Sequence, residues 1–254
     1  MVAYLLALPF GSATAVSAEA SPSRRGRILA GLYLFVIVTG VVAQAFIADR
    51  LIDYADAGKT AAQITANTSL YRLAFTIFML EMAAQMAFTV LFYDLLKPVS
   101  GTVARLSLIM GLVGAGIKTF ARLFYYVPLL LLGGASFLAV LDPAHVATLS
   151  LLSVKVGNQG AAIALVFFGF ESVLQGWLIL RSGFLPRVLG ALSMIGGFGW
   201  LTYLWPPLGS AAFVFVALFA IVASFVTCGW LLIRGVDDQK WKESATLAAA
   251  SIWR

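Results

Sequence analysis

Six apolar runs, each long enough to cross a bilayer, limit this chain to one kind of fold. They lie at approximately 27–48, 72–95, 104–132, 157–181, 187–206 and 210–234. About 20 apolar residues in a helix span the hydrocarbon core, where every backbone polar group must be paired inside its own segment or within a closed barrel. Of 254 residues, 61% are hydrophobic and only 11% charged, against roughly a quarter charged in a soluble domain. The expectation is an all-α integral membrane protein, a bundle of six transmembrane helices with the lipid bilayer as its main partner.

The connections sort by charge. Arg24, Arg25 and Arg27 precede the first run, Lys97 and Arg105 flank the turn after the second, Arg181 and Arg187 the turn after the fourth, and Arg234, Lys240 and Lys242 follow the last. The alternate connections hold Asp49, Asp53 and Asp56 with Arg50, Lys59 and Arg72, and then Asp142 with His145 and Lys155. An excess of Lys and Arg marks the cytoplasmic side, so both termini are expected there. The division that follows is a cytoplasmic, disordered leader (1–26), a six-helix transmembrane domain (27–234) and a cytoplasmic tail (235–254). Pro9-Phe10-Gly11 interrupts the first apolar stretch, and no base precedes it, which argues against a cleaved signal. Asp56 and Asp142 each stand where they can cap a short helix, the second followed by Pro143 at its first position. Pro128 is expected to break the outer end of the third helix, and Ala245 to Trp253 reads as a short apolar surface helix.

Charge inside the runs is where function is to be sought. Phe78-x-x-Glu81-x-x-x-Gln85 in the second run is matched by Phe168-x-x-Glu171-x-x-x-Gln175 in the fourth, and Lys118 and Arg122 lie one turn apart in the third. At the bilayer centre such groups are costly and must face the protein interior and one another. Counting helical rise from the basic anchors makes Glu81 with Arg122, and Glu171 with Lys118, the pairs of matching depth. Glu81, Gln85, Lys118, Arg122, Glu171 and Gln175 are therefore the candidate ligand-binding or charge-network residues. Gln44, Asn158, Gln159, Tyr125 and Tyr126 are further polar groups near the same depth. A purely structural network that fixes helix packing explains the four charges as well.

Echoes between runs, such as Gly176-Trp177-Leu178-Ile179-Leu180-Arg181 beside Gly229-Trp230-Leu231-Leu232-Ile233-Arg234, fit three tandem helical hairpins, an arrangement some transporters use. The turn Ser182-Gly183-Phe184-Leu185-Pro186-Arg187-Val188-Leu189-Gly190, with Leu165 to Phe170 before it, Arg27 to Tyr33, Asp56 to Ile64, Arg72 to Phe75 and Leu141-Asp142-Pro143, resembles the bacterial domain-of-unknown-function 4386 family over roughly residues 26 to 234. The resemblance implies a polytopic membrane protein, here of the bacterial cytoplasmic membrane, with no assigned reaction or ligand.

Several chemistries find no residues to carry them. His145 is the single histidine and Cys228 the single cysteine, so no Ser/His/Asp triad, paired-histidine haem site or CxxC metal site can be built. No metal and no other cofactor is expected, and no catalytic set is visible. The +6 charge is dispersed along the chain, without the basic stripe of a nucleic-acid binder. Two functions lead, with a membrane-embedded enzyme acting on a lipid-like substrate as a third. One is binding or transport of a small polar or anionic solute through the buried charged site, within a homo-oligomer. The other is a non-catalytic structural or assembly subunit of a larger membrane complex.

Overall fold

The computed structural model describes residues 21–134, 136–138 and 140–251; most of the expected leader falls outside them. Among the described residues the chain is helical with no strands. The helices are α1 (Pro22–Leu51), α2 (Ala57–Ala66), α3 (Thr68–Leu96), α4 (Gly101–Leu131), α5 (Pro143–Ser182), α6 (Arg187–Leu201), α7 (Pro206–Ile233) and α8 (Asp238–Ser251). Five of them, α1, α3, α4, α5 and α7, are long and apolar enough to cross a membrane. This is a helical membrane protein. The fifth expected span is shorter than the sequence suggests, because α6 stops after 15 residues and passes through a 3-10 turn, Thr202–Leu204, before Pro206 opens α7.

Local sequence accounts for the helix boundaries. Ser21, Asp56, Ser100 and Asp142 cap α1, α2, α4 and α5 by accepting hydrogen bonds from the backbone N–H three residues on. Proline begins α1, α5 and α7, where no N–H partner is needed. Gly183 ends α5 at φ +70°, a conformation that favours glycine. One expectation on a helix end is corrected. Pro128 does not break its helix; α4 runs on to Leu131, since a proline one turn from a helix end forfeits only one late hydrogen bond. The helix capped by Asp142 runs on into the fourth span, for α5 is continuous over 40 residues.

Neighbours in sequence are neighbours in space. α1, α3, α4, α5, α6 and α7 pack in that order, and α7 returns to α1, which closes a ring. Small residues set the closest approaches. A Cβ added at Gly176 would lie 2.5 Å from Gly190 O, and one at Gly197 would lie 2.8 Å from Gly169 O, so α5 and α6 meet backbone to backbone as membrane helices do at small-residue seams. The echoed Gly229 has nothing within 4 Å, so the two matched segments serve different packing roles. One end of the ring carries the Lys97/Arg105 and Arg181/Arg187 turns, and α8 is docked there. The Trp241 indole donates to Leu95 O at 2.8 Å, and the Ser23 N–H donates to Asp238 at 2.7 Å.

Two apolar clusters fill the ring. Leu29, Phe88, Phe92, Leu95, Leu178, Leu189 and Leu231 pack the half nearer this basic end. Ala43, Ile47, Ile64, Tyr71, Phe78, Leu151 and Val154 pack the opposite half, to one side. α2 closes over that side against α5, burying Thr60 and Ile64.

Candidate functional site

Glu81 and Lys118 meet. Lys118 Nζ donates to Glu81 Oε1 at 2.7 Å, with the carboxylate side chain 4% exposed and the lysine 20%. Glu81 thus pairs with Lys118 and not with the expected Arg122, which lies one turn further along α4 and makes no ion pair among the described residues. Its guanidinium lies over the Phe78 ring at 3.4 Å, and its buried Nε has no hydrogen-bond partner. Glu81 Oε2 is likewise buried and unpartnered. Room for the Glu81 side chain comes from α1, where a Cβ at Gly40 would lie 2.9 Å from Glu81 Oε1.

The pair and Arg122 face a cavity of about 610 Å³ within the ring. Gln44 and Asp49 from α1, Tyr54 from the following turn, Asn158 from α5, and Trp200, Tyr203 and Phe213 also line it. At its end away from the basic turns, neutral donors gather on Asp49. Gln44 Nε2 donates to Asp49 Oδ1 at 2.8 Å, Tyr54 OH to the same oxygen at 3.3 Å, and Asn158 Nδ2 to Tyr54 OH at 3.1 Å. A π-helical stretch, Val42–Ala48, contains Gln44 and ends just before Asp49; it brings residues five apart onto one face, a device found often at functional sites. Tyr54 lies outside the helices, and its hydroxyl is pushed above its ordinary value of 10.0, mainly by burial.

Glu171 sits elsewhere. Its Oε1 accepts from Thr89 Oγ1 and Gln175 Nε2, both at 3.0 Å, and Gln85 Nε2 reaches Thr89 at 3.4 Å. Every one of these partners is neutral. Ser107 Oγ donates to the Glu171 carbonyl at 3.4 Å, and Gly111 leaves the space in which the carboxylate lies, since a Cβ there would collide with Oε1. Gly111 is seven residues before Lys118, so Glu171 is about 10 Å nearer the basic end than the lysine it was expected to meet. Depth counted from separate anchors carries an error of that size when the turns are staggered.

Of the six candidate residues, then, Glu81, Lys118 and Arg122 share the cavity, while Gln85, Glu171 and Gln175 form a second, compact network. Of the further polar groups, Gln44 and Asn158 line the cavity. Gln159 is exposed on another face of α5, Tyr126 packs against Phe75 at the surface, and Tyr125 stacks on Tyr71 with ring centroids 4.2 Å apart. Asp94 pairs with Lys97 at 2.7 Å at the end of α3. Asp49, which the sequence places in a connection between spans, and Tyr54 line the cavity as well. Among the described residues, no group of three or more His, Cys, Asp or Glu is placed to hold a metal.

The model of the family described as Domain of unknown function (DUF4386) matches residues 28–235. The chain belongs to that family. An uncharacterised protein of Archaeoglobus fulgidus is 28% identical over 145 residues, 56% of this chain and 72% of its own length. No solved structure matches. Every residue of both networks lies inside the stretch that the DUF4386 model covers, so the cavity and the compact network are built within the family domain and not in the segments that flank it.

Proposed function

We propose that this DUF4386 protein binds a small polar or anionic solute in the cavity at the centre of its helix ring and passes it across the membrane. The observation that carries this reading is Arg122: a buried guanidinium, stacked on Phe78, that borders a cavity of about 610 Å³ with an N–H group left unpartnered. A structural charge is normally paired, because an unpaired buried ion is costly; an arginine held ready beside an open volume has the form of an anion receptor. Glu81 and Lys118 supply the coupling. Protonation of the carboxylate would release Lys118 to the solute, so that occupancy and a proton move together. Glu171, away from the cavity, takes no part.

In this reading α6 crosses as well, which makes six spans. Fifteen α-helical and three 3-10 residues reach about 28 Å, close to the hydrocarbon thickness. The basic turns and α8 then face the cytoplasm of a bacterial cell, and the Asp49 end opens to the other side. The test is thermal unfolding of the chain in lipid nanodiscs across a panel of small anions and amino acids, beside the Arg122→Gln variant. Stabilisation by a member of the panel, absent from the variant, supports the reading. Equal stabilisation of both proteins, or none of either, rules it out.

A further inference from the structure

The four charged side chains of the cavity do not all pair with one another. Lys118 and Glu81 form a pair at 2.7 Å. That leaves one cation and one anion facing the same space without an ion-pair partner among the described residues. Arg122 makes no ion pair among the described residues, and the Glu81 carboxylate, held by Lys118, acts on it only from farther off. Asp49 is held only by the neutral groups of Gln44 and Tyr54, while its neighbour Arg50 stacks on Phe46.

These two opposite charges lie close in height. A Cβ at Gly157 would meet Ala121 O at 3.0 Å and Tyr125 N at 3.6 Å, which sets Asn158 level with Arg122, and Asn158 reaches Asp49 through the single hydroxyl of Tyr54. The same cavity is lined by four aromatic side chains, Tyr54, Trp200, Tyr203 and Phe213, of which Tyr54 touches Asp49. Aromatic faces favour ammonium groups, and a carboxylate behind them fixes the orientation.

We propose that the solute is a compact zwitterion, whose anionic group engages the unpartnered guanidinium of Arg122 and whose ammonium group lies among the aromatic side chains beside Asp49. This deepens the solute-binding reading and rests on it. A simple anion leaves Asp49 uncompensated and is repelled by it on entry; a simple cation leaves Arg122 without a partner. A ligand with both charges satisfies both ends and keeps the site neutral, which lowers the cost of placing it inside a membrane.

The experiment is calorimetric binding to the full chain in lipid nanodiscs. The probes are ω-amino acids from glycine to 6-aminohexanoate, with butyrate and butylammonium as single-charge controls. At least one amino acid is expected to bind ten-fold or more tightly than either control. Asp49→Asn should erase that advantage while butyrate binding holds or improves. This substitution sits at an exposed position and retains an oxygen for Gln44 and Tyr54, so it tests the idea even if Arg122→Gln fails to fold. Butyrate binding as tightly as every amino acid, with no effect of Asp49→Asn, overturns the zwitterion and leaves the anion-binding reading standing. Silence from all the probes overturns both.

Discussion

Glu81 and Glu171 stand in the same local sequence, a phenylalanine three residues before and a glutamine four after, yet their surroundings have little in common. Glu81 meets a lysine, and beyond it an arginine and a cavity. Glu171 meets a threonine, a glutamine and the bare backbone of Gly111. The phenylalanines diverge as well: Phe78 carries the Arg122 guanidinium, whereas Phe168 packs where Gly114 leaves space. What separates the two sites is the neighbouring helix. α4 presents Lys118 and Arg122 at one height and Ser107 and Gly111 at another, so one strip of α4 serves as a charged wall and then as a close-packing seam. A carboxylate in a membrane helix thus acquires its role from the facing side chain more than from its own motif.

The largest expected effect comes from breaking the ion pair. Lys118→Met leaves Glu81, 3% exposed, without its cation and is expected to cost about 3 kcal/mol, read as a shift in the denaturation midpoint; adding Glu81→Gln should restore most of it. Failure of the second substitution to compensate would show that the pair does not exist. Next comes Gly111→Ala, expected to cost about 1–3 kcal/mol because the new methyl meets the Glu171 carboxylate and Thr89, neither free to move. Gly40→Ala, although its methyl also approaches a carboxylate, should cost less, since Glu81 borders open space. Equal effects at the two glycines would erase the distinction between the sites. Glu171→Gln is expected to change stability by less than about 1 kcal/mol, because an amide oxygen can still accept from Thr89 and Gln175.

The smallest effect belongs to the surface and serves as a control. The backbone N–H of His145, and then its side chain, hold the Asp142 carboxyl below its ordinary value of 3.8. A lowered folded value means that the cap contributes fully above about pH 3.8 and is lost as the pH falls through the folded value. Amide exchange over the first turn of α5 should therefore accelerate only in strong acid, and Asp142→Asn should remove that dependence. The cavity network should not follow it.

Much of this was legible in the sequence, and the parts that were not have identifiable causes. Long apolar runs gave five helices able to cross a membrane, and Asp56 and Asp142 gave their caps, because hydropathy and capping are local properties. The buried charges were legible as a set, since lipid forces them inward. Their partners were not. Lys118 and Arg122 differ by one turn, so an error of one turn in depth exchanges them, and residue counting carries no information on rotation about a helix axis. Asp49 escaped notice because the π-helical stretch before it turns residues five apart onto one face, and no residue type in Val42–Ala48 announces that geometry. The length of α6 was overestimated because the apolar run continues through the 3-10 turn that ends it.

The most direct measurement is thiol labelling in intact membranes with a small charged reagent, in a Cys228→Ala background. Single cysteines would replace Ala161 and Ala217, which line the cavity, and Ser107, which packs beside Glu171. Water-filled space beside Glu81 and close packing around Glu171 predict rapid modification at 161 and 217 and none at 107. Modification of Ser107→Cys at the same rate, or silence at both cavity positions in folded protein, would contradict the separation of the two sites.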